Sequence, residues 1–335
     1  MRIWRRLRLS LAGAIAILAW LVAHQAMARA LASKRVARAP AFARQAAIIG
    51  PTDDRAELSR VPGLKDIGFG RDDFRQAMAC TGTIVCAVNL RTGTLTAMAS
   101  AASVVSANQI VTAAHVFFDP KTGQRLASLQ SCQFRNYADR RAGIPILVTS
   151  AFERQLRENN PYRSGNQGRD WAAVRLRSAI PNCKPYEADA SGDWLAPGTE
   201  LLAISRVHRD LAKKFDGREP IGQRCTVRSA VPNWSGMLPL YFTDCDADTG
   251  GSGGLGLVHI GGKWVAKAMM VAIGPSGINY AEYDVTRNQF TAFLGIEQEF
   301  LRAVGVERPA PMPIAPIGPG LDPPAVDLDA RGTGR

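Results

Sequence analysis

Short runs rich in Thr, Val and Ile, separated by turn clusters, dominate the chain after Cys80. Residues 81–88, 94–100, 101–105 and 109–112 read as strands, with Arg91-Thr92-Gly93 and Ser106-Ala107-Asn108 as turns. Residues 132–134, 144–151 and 171–176 continue the series. A second series of similar size follows over 200–205, 222–229, 240–243, 254–260, 264–273 and 278–285. Short strands at even spacing, with no helical period between them, predict a barrel or sandwich and not βαβ units. The Pro- and Gly-containing stretch 182–198 predicts a junction between two β halves. Residues 113–117 leave the alternation and predict a short helical turn, while polar 153–168 predicts an exposed loop. Up to Met78 the preceding stretch reads as irregular. Only one segment carries a helical period: Phe290, Phe293, Leu294, Ile296, Phe300, Leu301 and Val304 predict a helix over 286–304.

The two ends differ in texture. Arg2 to Arg8 are basic, 9–23 are apolar, and Ala26-Met27-Ala28 has the small-x-small form of a cleavage site. This is the pattern of an export signal over 1–28, removed to leave a protein with no membrane attachment, secreted or periplasmic. Residues 29–47 are rich in Ala and Arg and read as a pro-segment or linker. The stretch 305–335 carries repeated prolines and too little apolar surface to order itself, so it reads as a disordered tail. That leaves 48–304 as the folded part.

Composition narrows the class. The chain has 335 residues, 46% of them hydrophobic, enough for a substantial core. The net charge of +12 is spread out, part of it in the leader, with no dense basic run interleaved with aromatics. That argues against a nucleic-acid partner. An even count of six cysteines in an exported chain predicts disulfides, and the simplest pairing joins sequence neighbours: Cys80–Cys86, Cys132–Cys183 and Cys225–Cys245. No CxxC pair occurs and histidines number only four, so no metal site or other cofactor is expected.

Candidate chemistry centres on Asp248-Thr249-Gly250-Gly251-Ser252-Gly253-Gly254, a serine framed by glycines. Glycine permits the tight, positive-φ turns that lift a side chain above a strand and uncover backbone N–H groups. A serine so placed can attack a carbonyl while those N–H groups hold the oxyanion. Of the histidines, His24 leaves with the leader, His208 sits in a basic stretch and His259 ends an apolar run before Gly261-Gly262. His115 directly follows the strand 109–112 between small and apolar neighbours, a setting for a general base. Asp170 opens the apolar run Trp171-Ala172-Ala173-Val174, where a carboxylate can be fixed and desolvated to orient an imidazole.

Thr112-Ala113-Ala114-His115, Asp170-Trp171-Ala172-Ala173-Val174 and Gly250-Gly251-Ser252-Gly253-Gly254, in that order, resemble the three signature segments of trypsin-like, chymotrypsin-fold serine peptidases. Ile48-Ile49-Gly50-Pro51-Thr52-Asp53-Asp54-Arg55 is similar to the mature N-terminus of the bacterial exported glutamyl-endopeptidase-like branch. The resemblance implies an all-β fold of two antiparallel barrels with a C-terminal helix and a site in the cleft between them. It also implies His115 as general base, Asp170 as its orienter, Ser252 as nucleophile, and the N–H groups of Gly250 and Ser252 as the oxyanion hole. The chain departs from the family in three places. Gly251 replaces the Asp that pairs with a new N-terminus in zymogen-activated trypsins. Leu255 replaces a common Pro. The stretch 265–271 lacks the histidine that binds a substrate carboxylate, which argues against Glu substrates. Six positions before the serine stands Asp246, a candidate base for a pocket taking Arg or Lys. With Asp244 and Asp248 nearby it reads equally as part of a solvated acidic loop. The expected function is an exported serine endopeptidase acting on peptide or protein substrates. The alternative is a secreted pseudopeptidase that only binds them.

Overall fold

The computed structural model describes residues 46–303 apart from 90–93, 104–105, 120–121, 127–128, 141, 164–165, 189–193, 207–214, 216, 232–237, 249, 274–277, 288 and 297. The leader, the tail and His208 therefore lie outside the described residues, as does the 29–47 segment short of Ala46. Strands β1 (Ala46–Ile49) and β2 (Ala56–Glu57) precede helix α1 (Arg71–Cys80). The first barrel is built from β3 (Thr81–Asn89), β4 (Thr94–Ser103), β5 (Gln109–Thr112), β6 (Gln133–Asn136), β7 (Ile144–Pro145) and β8 (Ala172–Arg175). Helix α2 (Ser150–Glu158) lies between its last two strands. After the short β9 (Glu187–Ala188) come β10 (Glu200–Ser205), β11 (Ile221–Val231), β12 (Leu240–Thr243), β13 (Ala247–Asp248), β14 (Leu255–Ile260), β15 (Lys263–Ile273), β16 (Ile278–Ala281), β17 (Thr291–Gly295) and helix α3 (Gln298–Ala303).

Both β halves close. In the first, the order is β7-β6-β3-β4-β5-β8, and the bridge Ile146–Leu176 joins its two edges. In the second, β10-β14-β15-β17-β12-β11 returns on itself through six antiparallel pairs between β10 and β11. Closure removes the open edges that would template aggregation. Inward positions fill each barrel: Ile84, Ile110, Phe134 and Val174 in the first, Leu201, Val227, Tyr241 and Phe293 in the second.

Three expectations about helices and loops need correction. Residues 286–304 are not one helix. Thr291–Gly295 is a central strand of the second barrel, buried at every position; among the described residues α-helix is confined to Gln298–Ala303, and a 3-10 turn covers Val285–Arg287. A run buried on both faces shows no alternation, so its aromatic residues mimic a helical stripe. The stretch around 153–168 is not all loop. Thr149 caps α2 by accepting the Phe152 N–H at 3.1 Å, and Phe152 and Leu156, one turn apart, are its buried face. The irregular stretch before Cys80 contains α1, with Asp72 and Asp73 in its first turn.

The disulfides join Cys80 to Cys183, Cys86 to Cys132 and Cys225 to Cys245. Neighbour pairing holds only for the last. Cys80 and Cys86 stand at the two ends of an extended run, roughly 20 Å apart at the rise of a strand. A disulfide needs Cα atoms within about 7 Å. Each cysteine reaches across the fold instead, with Cα–Cα distances of 4.9 and 4.0 Å. Cys80–Cys183 ties the start of the first barrel to the connection between barrels, closing a loop of 103 residues.

Candidate active site

Strand register brings His115 and Asp170 together. β5 and β8 pair antiparallel with Thr112 opposite Ala172. The chain leaving β5 and the chain entering β8 are therefore at the same end of the pair. His115 lies three residues past Thr112, in the 3-10 turn Ala114–Phe117, and Asp170 two residues before Ala172. One Asp170 oxygen accepts the His115 backbone N–H at 2.8 Å, and the other meets the ring Nδ1 at 2.7 Å. Asp170 is fully buried, while the His115 side chain keeps 24% of its exposure. Water cannot compete for the carboxylate, and the ring is held at one edge and open at the other. With Nδ1–H donated to Asp170, Nε2 is left as the proton acceptor.

Sequence reasoning missed what braces this acid. Asn159, at the end of α2, donates its amide to the Trp171 carbonyl at 2.9 Å, and Gln155 accepts the Ala173 N–H at 3.0 Å. From the other end of the chain, Phe300 on α3 packs edge-on against Trp171, with ring centroids 5.4 Å apart. The Thr149 cap and the Phe152/Leu156 spacing were the legible signals for α2.

Ser252 occupies a partly buried turn between Gly251 and Gly253 in the second barrel. This turn is knitted internally and to β15: Gly251 N–H to the Asp248 carbonyl (2.9 Å), Gly254 N–H to Gly251 (2.8 Å), and Gly253 N–H to Met270 (2.7 Å). It also docks on the first barrel. The Gly250 carbonyl accepts the Ser100 N–H at 3.0 Å and the Ser100 hydroxyl at 3.1 Å. Ser100 Oγ in turn accepts the Arg206 N–H at 2.7 Å, and the Ser100 carbonyl accepts from Thr112 Oγ1 at 2.8 Å. Gly253, at φ +84°, lies so close that a Cβ would overlap the Ser100 carbonyl and the Thr112 side chain. The serine turn thus rests on Ser100 of β4 and on Thr112 of β5, the strand that leads into His115, and the close approach at Gly253 requires glycine. Gly250, one of the two expected oxyanion donors, also has positive φ, at 95°.

Asp246 lies where neither expectation placed it. It is 2% exposed, so it is no solvated loop acid. Its carboxylate faces the N-terminal segment, accepting the Ile49 N–H at 2.7 Å and the Asp54 N–H at 2.8 Å. That arrangement turns it away from the role of a pocket base for Arg or Lys. Burial raises its pKa from 3.8 to about 6, against the opposing pull of those two N–H groups and of the Arg55 guanidinium. His259 is an exposed strand-end residue stacked beside Trp264 at 5.1 Å. Among the described residues no group of three or more His, Cys, Asp or Glu is gathered to hold a metal ion.

No family model matches the chain, and no curated protein matches it in sequence. Among solved structures, a Glu endopeptidase in complex with MPD superposes with a TM-score of 0.51 at 14% identity, over 77% of this chain and 97% of that one. A thermostable serine protease from an extremophilic microorganism superposes at 0.46 with 15% identity, over 68% and 95% of the two chains. A protease from M. tuberculosis in its active form gives 0.44 and 14%, over 74% and 89%. The first of these shows that the chain shares the double-barrel fold of chymotrypsin type.

Proposed function

We propose that the protein is an exported serine endopeptidase. Ser252 Oγ attacks the carbonyl carbon of a peptide bond while His115 Nε2 takes its proton. The proton then passes to the departing amine, and water attacks the resulting acyl-enzyme by the same route. Asp170 holds the imidazole in the tautomer this needs and stabilises the imidazolium. The N–H groups of Gly250 and Ser252 receive the oxyanion. The observation that carries this reading is the His115–Asp170 pair at 2.7 Å together with a glycine-framed serine turn docked on Ser100 of β4 and on Thr112, three residues before His115. Three disulfides support an oxidising destination. The structural neighbour named a Glu endopeptidase supports peptide substrates as a class, and this chain's strand β15 has no histidine to bind a Glu side chain.

The test is covalent labelling by a fluorophosphonate together with hydrolysis of a peptide library. The wild type should be labelled at Ser252. Ser252→Ala should lose labelling and on the order of 10⁶-fold in turnover, with His115→Ala in that background costing little more because the group acts as a unit. Labelling of Ser252→Ala at the wild-type rate would refute the assignment. An unlabelled wild type would leave a peptide-binding protein.

A further inference from the structure

We propose that Asp246 is a positioning residue, whose carboxylate clasps the N-terminal segment 49–54 onto the segment that leads into Ser252. This rests on the reading of Ser252 as nucleophile. The contacts form a chain from one end of the fold to the site. Ile49 and Asp54, five residues apart, each donate a backbone N–H to one oxygen of Asp246. Beside it, β1 pairs with β13, Ala46 opposite Asp248 and Ala47 opposite Ala247. On its other side β1 pairs with β16, giving a three-stranded sheet outside both barrels. The Asp248 carbonyl then accepts the Gly251 N–H, one residue before Ser252. From the barrel side, Asp246 donates its own N–H to the buried Gln223 at 2.8 Å. Cys245 just before it is fixed by the disulfide to Cys225 and by Thr291 Oγ1 on its carbonyl at 2.6 Å.

A hydrophobic side chain would satisfy a buried site at lower cost than a carboxylate. A carboxylate has an oxygen for each of the two N–H groups, so it holds two points of the passing segment at once without sharing an acceptor. The arrangement makes the N-terminal segment a working part of the serine turn. Glu219 provides an internal contrast: it holds the Ser59 N–H and hydroxyl at 2.8 and 2.7 Å, but on the exposed surface.

The experiment compares full-length wild type, Asp246→Asn, Asp246→Ala and Glu219→Gln. Three quantities are read: the rate of fluorophosphonate inactivation, the kcat and KM for a peptide, and amide hydrogen exchange over 46–56 and 247–254. An asparagine keeps the volume but turns an NH₂ group toward one of the two N–H donors. The expected result is an inactivation rate and kcat about 10-fold lower in Asp246→Asn, with KM within about two-fold. Exchange should rise in both segments, and Tm should hold at the wild-type value or above. Asp246→Ala should show the same pattern more strongly, and Glu219→Gln should leave the inactivation rate unchanged. Wild-type inactivation rates in both Asp246 variants overturn the proposal. So does exchange that rises over 46–56 and not over 247–254. If the wild type itself is not labelled, the nucleophile reading fails, and the exchange comparison still decides the clasp.

Discussion

Asp170 and Asp246 begin as the same object. Each is a carboxylate a few residues from a short apolar strand, each is almost fully buried, and each accepts a backbone N–H from a part of the chain distant in sequence. They end in different roles because of what stands opposite. The β5–β8 register presents Asp170 with a histidine ring, a group that can carry a proton. The β1–β13 pairing brings Asp246 to two backbone N–H groups of the N-terminal segment, which carry no proton to transfer. A buried acid therefore has no function of its own. Its partner assigns one, and topology assigns the partner.

The comparison breaks most sharply at Asp170. Asp170→Asn can still accept the His115 N–H but offers an amide to Nδ1, which favours the tautomer with its proton on the wrong nitrogen. Turnover should fall by about 10⁴-fold while the fold persists. The check is steady-state kinetics beside a thermal melt. A loss no larger than that of Asp246→Asn would mean that the two acids play equivalent supporting parts.

A second break comes at the contact between the two regions. Gly253→Ala adds a Cβ where the Ser100 carbonyl and Thr112 already stand, at a φ that disfavours side chains. The serine turn must withdraw from the first barrel. Turnover should fall on the order of 100-fold, and stability by about 1–3 kcal/mol from strain and overlap. Denaturant unfolding read alongside kcat measures both, and an unchanged kcat would show that the docking does not matter to the site.

The smallest effect sharpens the contrast in pH. The pKa of Asp246 is raised from 3.8 to about 6, so the folded state holds a proton that the unfolded chain gives up over that interval. Its contribution is fully present below about pH 4 and is lost as pH rises through about 6. Roughly two pH units at about 1.4 kcal/mol each put the loss on the order of 2–3 kcal/mol. Asp246→Asn, which has no proton to lose, should be as stable as wild type or more so at pH 8, with a flatter stability profile between pH 4 and 7. Urea unfolding across that range tests it. A mutant profile parallel to wild type would place the titration elsewhere.

Much of this was legible before any coordinates. The β texture, strands such as Glu200–Ser205 and Leu240–Thr243, and the choice of the His115, Asp170 and Ser252 segments as candidates all follow from local residue choice. Other features were not. The 286–304 segment misled because burial on both faces erases the period that separates strand from helix. The cysteine partners misled because proximity along the chain is not proximity in a barrel, although the strand between Cys80 and Cys86 already ruled out their pairing.

What the sequence determined by itself was the set of chemical groups and their local settings: a serine among glycines, a histidine after a strand, an aspartate before one, and two series of strands able to close. What the tertiary structure alone decided was which groups meet. That Asp170 faces His115 depends on a register 60 residues wide, Thr112 against Ala172. That Asp246 faces Ile49 depends on a contact spanning 197. Local preferences carry no information at such separations. Pairing is selected by the closure of the barrels, where one arrangement satisfies the backbone and buries the apolar faces together.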